Sequence, residues 1–99
     1  TKYIYMQITD NDFLRQFEVK VNDGLAIIEY SVQERKIFLT KIIVPEMSNK
    51  DKFTEEFLSN VLTMISEKNV RVVPTASVIT KFIRKNRKYK TLLPVGIRI

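Results

Sequence analysis

The chain has 99 residues, 44% of them hydrophobic, and a formal net charge of +6. That length makes one domain, residues 1–99, able to bury a core while leaving much of its surface wet. It holds no cysteine and no histidine, which removes disulfides, thiolate chemistry, the commonest general base and the commonest zinc ligand, so no metal site is expected.

Residues 2–9 alternate Tyr3, Tyr5 and Gln7 with Ile4, Met6 and Ile8, the pattern of a half-buried strand. Residues 10–12 read as a turn. Residues 13–21 predict a second strand, with Phe17, Val19 and Val21 on one face and Glu18 and Lys20 on the other. Asn22-Asp23-Gly24 is a hairpin signal, because Asp-Gly readily reaches positive φ. Residues 25–31 return as its partner, and residues 33–35 reverse the chain again. Residues 37–44 form a near-continuous apolar run rich in β-branched side chains, which predicts a strand covered on both faces. Pro45 ends it, having no ladder donor to give.

After a polar loop over residues 46–52, Phe53, Phe57, Leu58, Val61, Leu62 and Ile65 recur at helical spacing, one apolar stripe of an amphipathic helix. Asp51 is the expected N-cap, Glu55 and Glu56 the expected first-turn acids, and Asn69 the expected C-cap. Residues 70–73 predict a strand closed by Pro74. Two strands joined by a helix imply a right-handed crossover, so residues 37–44 and 71–73 should be adjacent and parallel. Val78, Ile79, Phe82 and Ile83 place a short amphipathic helix over residues 77–86, and residues 95–99 predict a last strand. The fold class is α/β (α+β): a mixed sheet of five or six strands, an antiparallel meander followed by a β-α-β crossover and a short helix.

Charge is unevenly placed. Residues 1–67 carry all 11 acids and eight of the 17 bases; residues 68–99 carry the other nine bases and no acid. A basic third without counter-charge favours an anionic partner. Six of its bases fall between Lys81 and Lys90; on one helix Lys81, Arg84, Lys85 and Lys88 would share a face. Nucleic acid or an acidic protein is the partner expected of that run. No apolar stretch approaches the ~20 residues of a membrane span, and no leader pattern opens the chain, so a soluble cytoplasmic protein is expected.

The run from Val72 to Tyr89, with the strand and helix before it, resembles the very small, single-domain members of the GNAT superfamily of N-acetyltransferases. The resemblance implies a GNAT-like mixed sheet, acetyl-coenzyme A as cofactor, and direct passage of the acetyl group to an amine substrate. It implies that the strand end Ile42, Ile43 and Val44 and the loop after it hold the cofactor. The family's glycine-rich loop falls on Asn49, Lys50, Asp51, Lys52, Phe53 and Thr54, none of them glycine. Ala76 stands where the small enzymes often carry a cysteine, and Lys41-Ile42 where they often carry His-Thr. Lys50, Lys52, Lys81 and Lys85 supply charge for the phosphates. Glu29 and Tyr30 match a base and an acid on a strand. Tyr89 matches a family tyrosine, read either as a packed ring or as a ligand contact. Two hypotheses result: an acetyl-coenzyme A-dependent N-acetyltransferase, or a non-catalytic module on the same scaffold.

Overall fold

The computed structural model describes residues 7–21, 24–97 and 99. Five strands line up in chain order in one sheet: β1 (Thr9–Asn11), β2 (Gln16–Val21), β3 (Gly24–Gln33), β4 (Lys36–Ile43) and β5 (Arg71–Pro74). The first four are antiparallel neighbours. β4 and β5 are parallel, in register from Lys36↔Arg71 to Leu39↔Pro74. Between them runs α1 (Lys50–Ser66); α2 (Ser77–Lys85) and a 3-10 helix (Arg87–Leu92) follow β5. The mixed sheet and the parallel strand–helix–strand unit read from the sequence are both present.

Core residues alternate along the strands: Phe17, Val19 and Val21 on β2, Ala26, Ile28 and Tyr30 on β3, Ile37 and Leu39 on β4, Val72 on β5. Alternate residues share a face, so one face of the sheet is buried. It packs into one cluster with Phe57, Leu58, Val61, Leu62 and Ile65 of α1 and Ile79, Phe82 and Ile83 of α2. The helical layer therefore covers one face only. The expectation that residues 37–44 are covered on both faces is corrected: Lys41 is exposed and Ile43 is 43% exposed. Only residues 36–39 lie between two strands, and no second helical layer covers the other face among the described residues.

Other boundaries also move. The strand expected over residues 2–9 lies largely outside the described residues, as does the hairpin tip at Asn22 and Asp23. Residues 9–11, read in part as a turn, form β1 instead. Asp10 lies opposite Phe17 in the ladder, and Asn11 Nδ2 donates to Glu18 Oε2 at 2.9 Å. The turn falls at residues 12–15, where the Leu14 amide donates to Asn11 Oδ1 at 3.0 Å and Arg15 takes a φ of 58°. α1 begins earlier than expected. Asn49 is its N-cap, so Asp51 becomes the acid of the first turn and Glu55 and Glu56 lie beyond it. Its C-cap is Glu67 rather than Asn69. α2 stops at Lys85, so Lys88 does not share its face. Residues 95–97 and 99 are not a strand: Pro94 and Gly96, with φ of 93°, bend the chain, and the Ile97 amide donates to the Pro94 carbonyl at 3.2 Å.

Candidate functional site

The site begins with an irregularity in the β3–β4 ladder. Tyr30 faces Leu39 and Glu29 faces Lys41, which leaves Thr40 without an opposite number. One extra residue in one strand is a β-bulge, and it bends the strand that carries it. The Thr40 hydroxyl donates to the Glu29 carbonyl at 3.3 Å. Pairing with β5 stops at the same place. The Leu39 carbonyl accepts from the amide and the hydroxyl of Thr75, at 3.0 and 3.2 Å. β4 then continues to Ile43 while β5 turns away into α2. Beyond Leu39 the β5 side of β4 pairs with no strand among the described residues.

Both helices start beyond the C-terminal ends of these two parallel strands, the end at which open α/β sheets take ligands. Asn49 holds φ 58° and ψ 37°, and its carbonyl accepts the Phe53 amide at 3.0 Å. No side chain caps α1. The left-handed turn that glycine makes without strain is thus made here by asparagine, the residue next best suited to it. Ala76 is extended at the start of α2, and its carbonyl accepts from the amides of Ile79 and Thr80.

A groove of about 280 Å³ runs between the helices. Asp51, Thr54, Glu55 and Leu58 line it from α1; Val78, Lys81, Phe82 and Lys85 line it from α2. Lys85 Nζ reaches across to Glu55 Oε2 at 3.7 Å. An adjoining cleft shares Glu55 and Phe82 and adds Lys52, Ser59 and Tyr89. There the rings of Phe82 and Tyr89 stack at 5.7 Å, and the Tyr89 hydroxyl is hydrogen-bonded to Ser59 Oγ at 2.7 Å.

Asp51, Thr54, Lys81 and Lys85 therefore meet in one groove, with Lys52 and Tyr89 in its continuation. Tyr89 is a packed ring and a cleft residue at once. Ile42 and Ile43 end β4, Val44 follows it, and Ala76 precedes α2. Phe53 directs its ring at Phe57, 5.9 Å away. Lys50 is held by Glu46 at 3.2 Å. Glu29 and Tyr30 stand apart. Glu29 is half-buried on the sheet face away from the helices. The buried Tyr30 donates its hydroxyl to Asp10 of β1, in a hollow shared with Lys68 and Val70, which follow the far end of α1. Burial, then the Asp10 hydrogen bond and the Asp10 and Asp12 charges, push its phenol well above the usual range. Ser59 and the bulge at Thr40 went unnoticed in the sequence, and Val78 was read only as part of a helix's apolar face. Val78 looked like core but is 48% exposed in the groove, and a bulge appears only in cross-strand register.

A family model described as GCN5-related N-acetyl-transferase matches residues 16–92. No match appears among curated proteins. In three dimensions the chain resembles the NMR solution structure of a GCN5-like N-acetyltransferase candidate from Staphylococcus aureus, with a TM-score of 0.69. That likeness covers 94% of this chain and 91% of the other at 19% identity, so it bears on the fold. The match over residues 16–92 takes in the bulged strand, both helices and the groove between them: the chain belongs to the GCN5-related N-acetyl-transferase family.

Proposed function

We propose that the chain binds acetyl-coenzyme A where β4 and β5 part and catalyses acetyl transfer to an amine. The observation that carries this is the coincidence of three features at one end of the sheet. These are the bulge at Thr40, the end of β4–β5 pairing at Leu39, and two helix starts flanking a groove. The thioester supplies an activated acetyl group: the amine nitrogen bonds to its carbonyl carbon, the carbon–sulfur bond breaks, and the amine proton passes to water, from which Tyr89 is reprotonated after it protonates the thiolate. Consecutive strand amides point to opposite edges, so of Ile42, Ile43 and Val44 the alternate ones, turned away from β3, are the donors assigned to polarise that carbonyl. Amides at the start of α1, over Lys50, Asp51 and Lys52, are the donors for pyrophosphate. Lys52 and Lys81 add charge directly. Lys50 and Lys85 add theirs by exchanging Glu46 and Glu55 for phosphate, which costs little because exposed ion pairs are weak. Tyr89, held by Ser59, presents its hydroxyl to the cleft as the proton donor for the departing thiolate.

One observation favours a second reading, a binding module without chemistry. No glycine occurs from Asn49 to Thr54, and alanine stands at position 76. Calorimetric titration with acetyl-coenzyme A separates the two. Binding that weakens with salt and disappears in Lys50→Glu/Lys52→Glu is the expected result, together with thiol release when an amine is added. No heat at millimolar cofactor would leave the module reading standing.

A further inference from the structure

We propose that the face formed by Arg84, Arg87 and Lys90 docks the phosphodiester backbone of a nucleic acid, independently of the acetyl-transfer groove. The six bases from Lys81 to Lys90 divide by position. Lys81, Lys85 and Lys88 line the groove or its continuation; Arg84, Arg87 and Lys90 line neither. Of the six, only Lys85 is ion-paired among the described residues. Arg87 and Lys90 sit three apart on the 3-10 helix, where residues at that spacing lie one above the other. Arg84 is the penultimate residue of α2, three before Arg87; Arg84 and Arg87 are exposed and Lys90 is half-buried. No acid follows Glu67, so nothing in the last third of the chain neutralises them.

The array is held in place. The Phe82–Tyr89 stack fixes the 3-10 helix to α2, and the Ser59–Tyr89 hydrogen bond fixes it to α1. Arg71 Nη1 donates to the Thr91 carbonyl at 2.7 Å, fixing it to β5. A backbone fixed before binding leaves only side-chain freedom to be lost when the charges engage.

What selects the occupant is the lack of apolar anchors. Between residues 79 and 94 no large apolar side chain is exposed. Acidic protein partners draw most of their affinity from buried aromatic and aliphatic contacts, which this face does not offer. A phosphodiester backbone needs only positioned cations, and the arginine fork fits phosphate oxygens two at a time.

The test is fluorescence anisotropy of the full chain with labelled mixed-sequence duplexes, one of DNA and one of RNA. Binding to either supports the proposal. It should show a slope of about −3 or steeper in log affinity against log salt, as expected when three or more phosphates are neutralised. Arg84→Glu/Arg87→Glu/Lys90→Glu should weaken it at least about 100-fold. That variant should keep the wild-type melting temperature and the wild-type calorimetric response to acetyl-coenzyme A, because it leaves the groove intact. Arg84→Lys/Arg87→Lys, which keeps the charge and loses the fork, should keep the salt slope and weaken binding far less than the triple reversal. An unchanged affinity in the triple reversal would overturn the proposal. So would equally tight binding of polyglutamate of matched charge, which would mark the face as one for acidic proteins.

Discussion

Phe57 and Leu62 show how far a single side chain can be trusted to report its own burial. Both sit on the helical apolar stripe of the sequence, and both are fully buried in the structure. Phe57→Ala and Leu62→Ala should each lower stability by about 2–5 kcal/mol, the usual loss of transfer energy plus an incompletely collapsed cavity. Denaturant midpoints check this, and wild-type midpoints would place the stripe wrongly. Tyr30 teaches the opposite lesson. It alternates with Ile28 and is buried like it, but nothing in its spacing pointed to Asp10, twenty positions earlier. Its phenol ionises at higher pH in the folded chain than in the unfolded one, because it is buried and faces carboxylates. The stability this adds is fully present below the ordinary phenol value of 10.0 and is lost as pH climbs from there through the folded value. The stability difference between wild type and Tyr30→Phe should therefore be flat up to about pH 10 and change only above it. An unfolding series in pH measures it, and a difference that varies between pH 6 and 9 would contradict the assignment.

At the scale of elements, periodicity identified α1, α2 and β2 to β5, because each buries one face and repeats accordingly. Their ends were less legible. Asn49 rather than Asp51 caps α1 through its backbone conformation, with no side-chain hydrogen bond to reveal it. β1 holds Asp10 and Asn11, which are poor strand formers, through pairing with β2 and the Glu18 contact; tertiary pairing overrides local propensity there. Asn49 yields a direct prediction. Asn49→Gly should be tolerated with less than about 1 kcal/mol of change, while Asn49→Val should cost about 1–2 kcal/mol, because a β-branched residue strains at positive φ. Thermal unfolding of the pair checks it, and equal stabilities would mean that the turn does not require the left-handed region. Across the groove, the Lys85–Glu55 pair is open to water on both sides. A double-mutant cycle should find a coupling under about 1 kcal/mol. A larger value would make the pair a structural clasp, not a contact that phosphates can displace.

For the whole molecule, the order of elements was the most legible feature, since a meander followed by strand, helix and strand admits few topologies. The groove was half legible. Asp51, Thr54, Lys81 and Lys85, all named from the sequence, line it together. Glu29 does not reach it because it points to the face the helices leave open, and Tyr30, on the helical face, does not because its hydroxyl is directed to Asp10 in a separate hollow. The bulge that opens the sheet leaves no trace in local sequence. The charge asymmetry then has a structural counterpart: one set of bases lines the groove and another lies outside its lining. The central claim is that acetyl-coenzyme A binds where β4 and β5 part. Titration of the isotope-labelled chain with acetyl-coenzyme A, followed by amide chemical shifts, tests it most directly. The largest shifts should fall on residues 40–44, 49–54 and 76–82, with residues 9–11 and 68–70 unmoved. No shifts at saturating cofactor, or shifts centred on the Tyr30 hollow, would contradict the account.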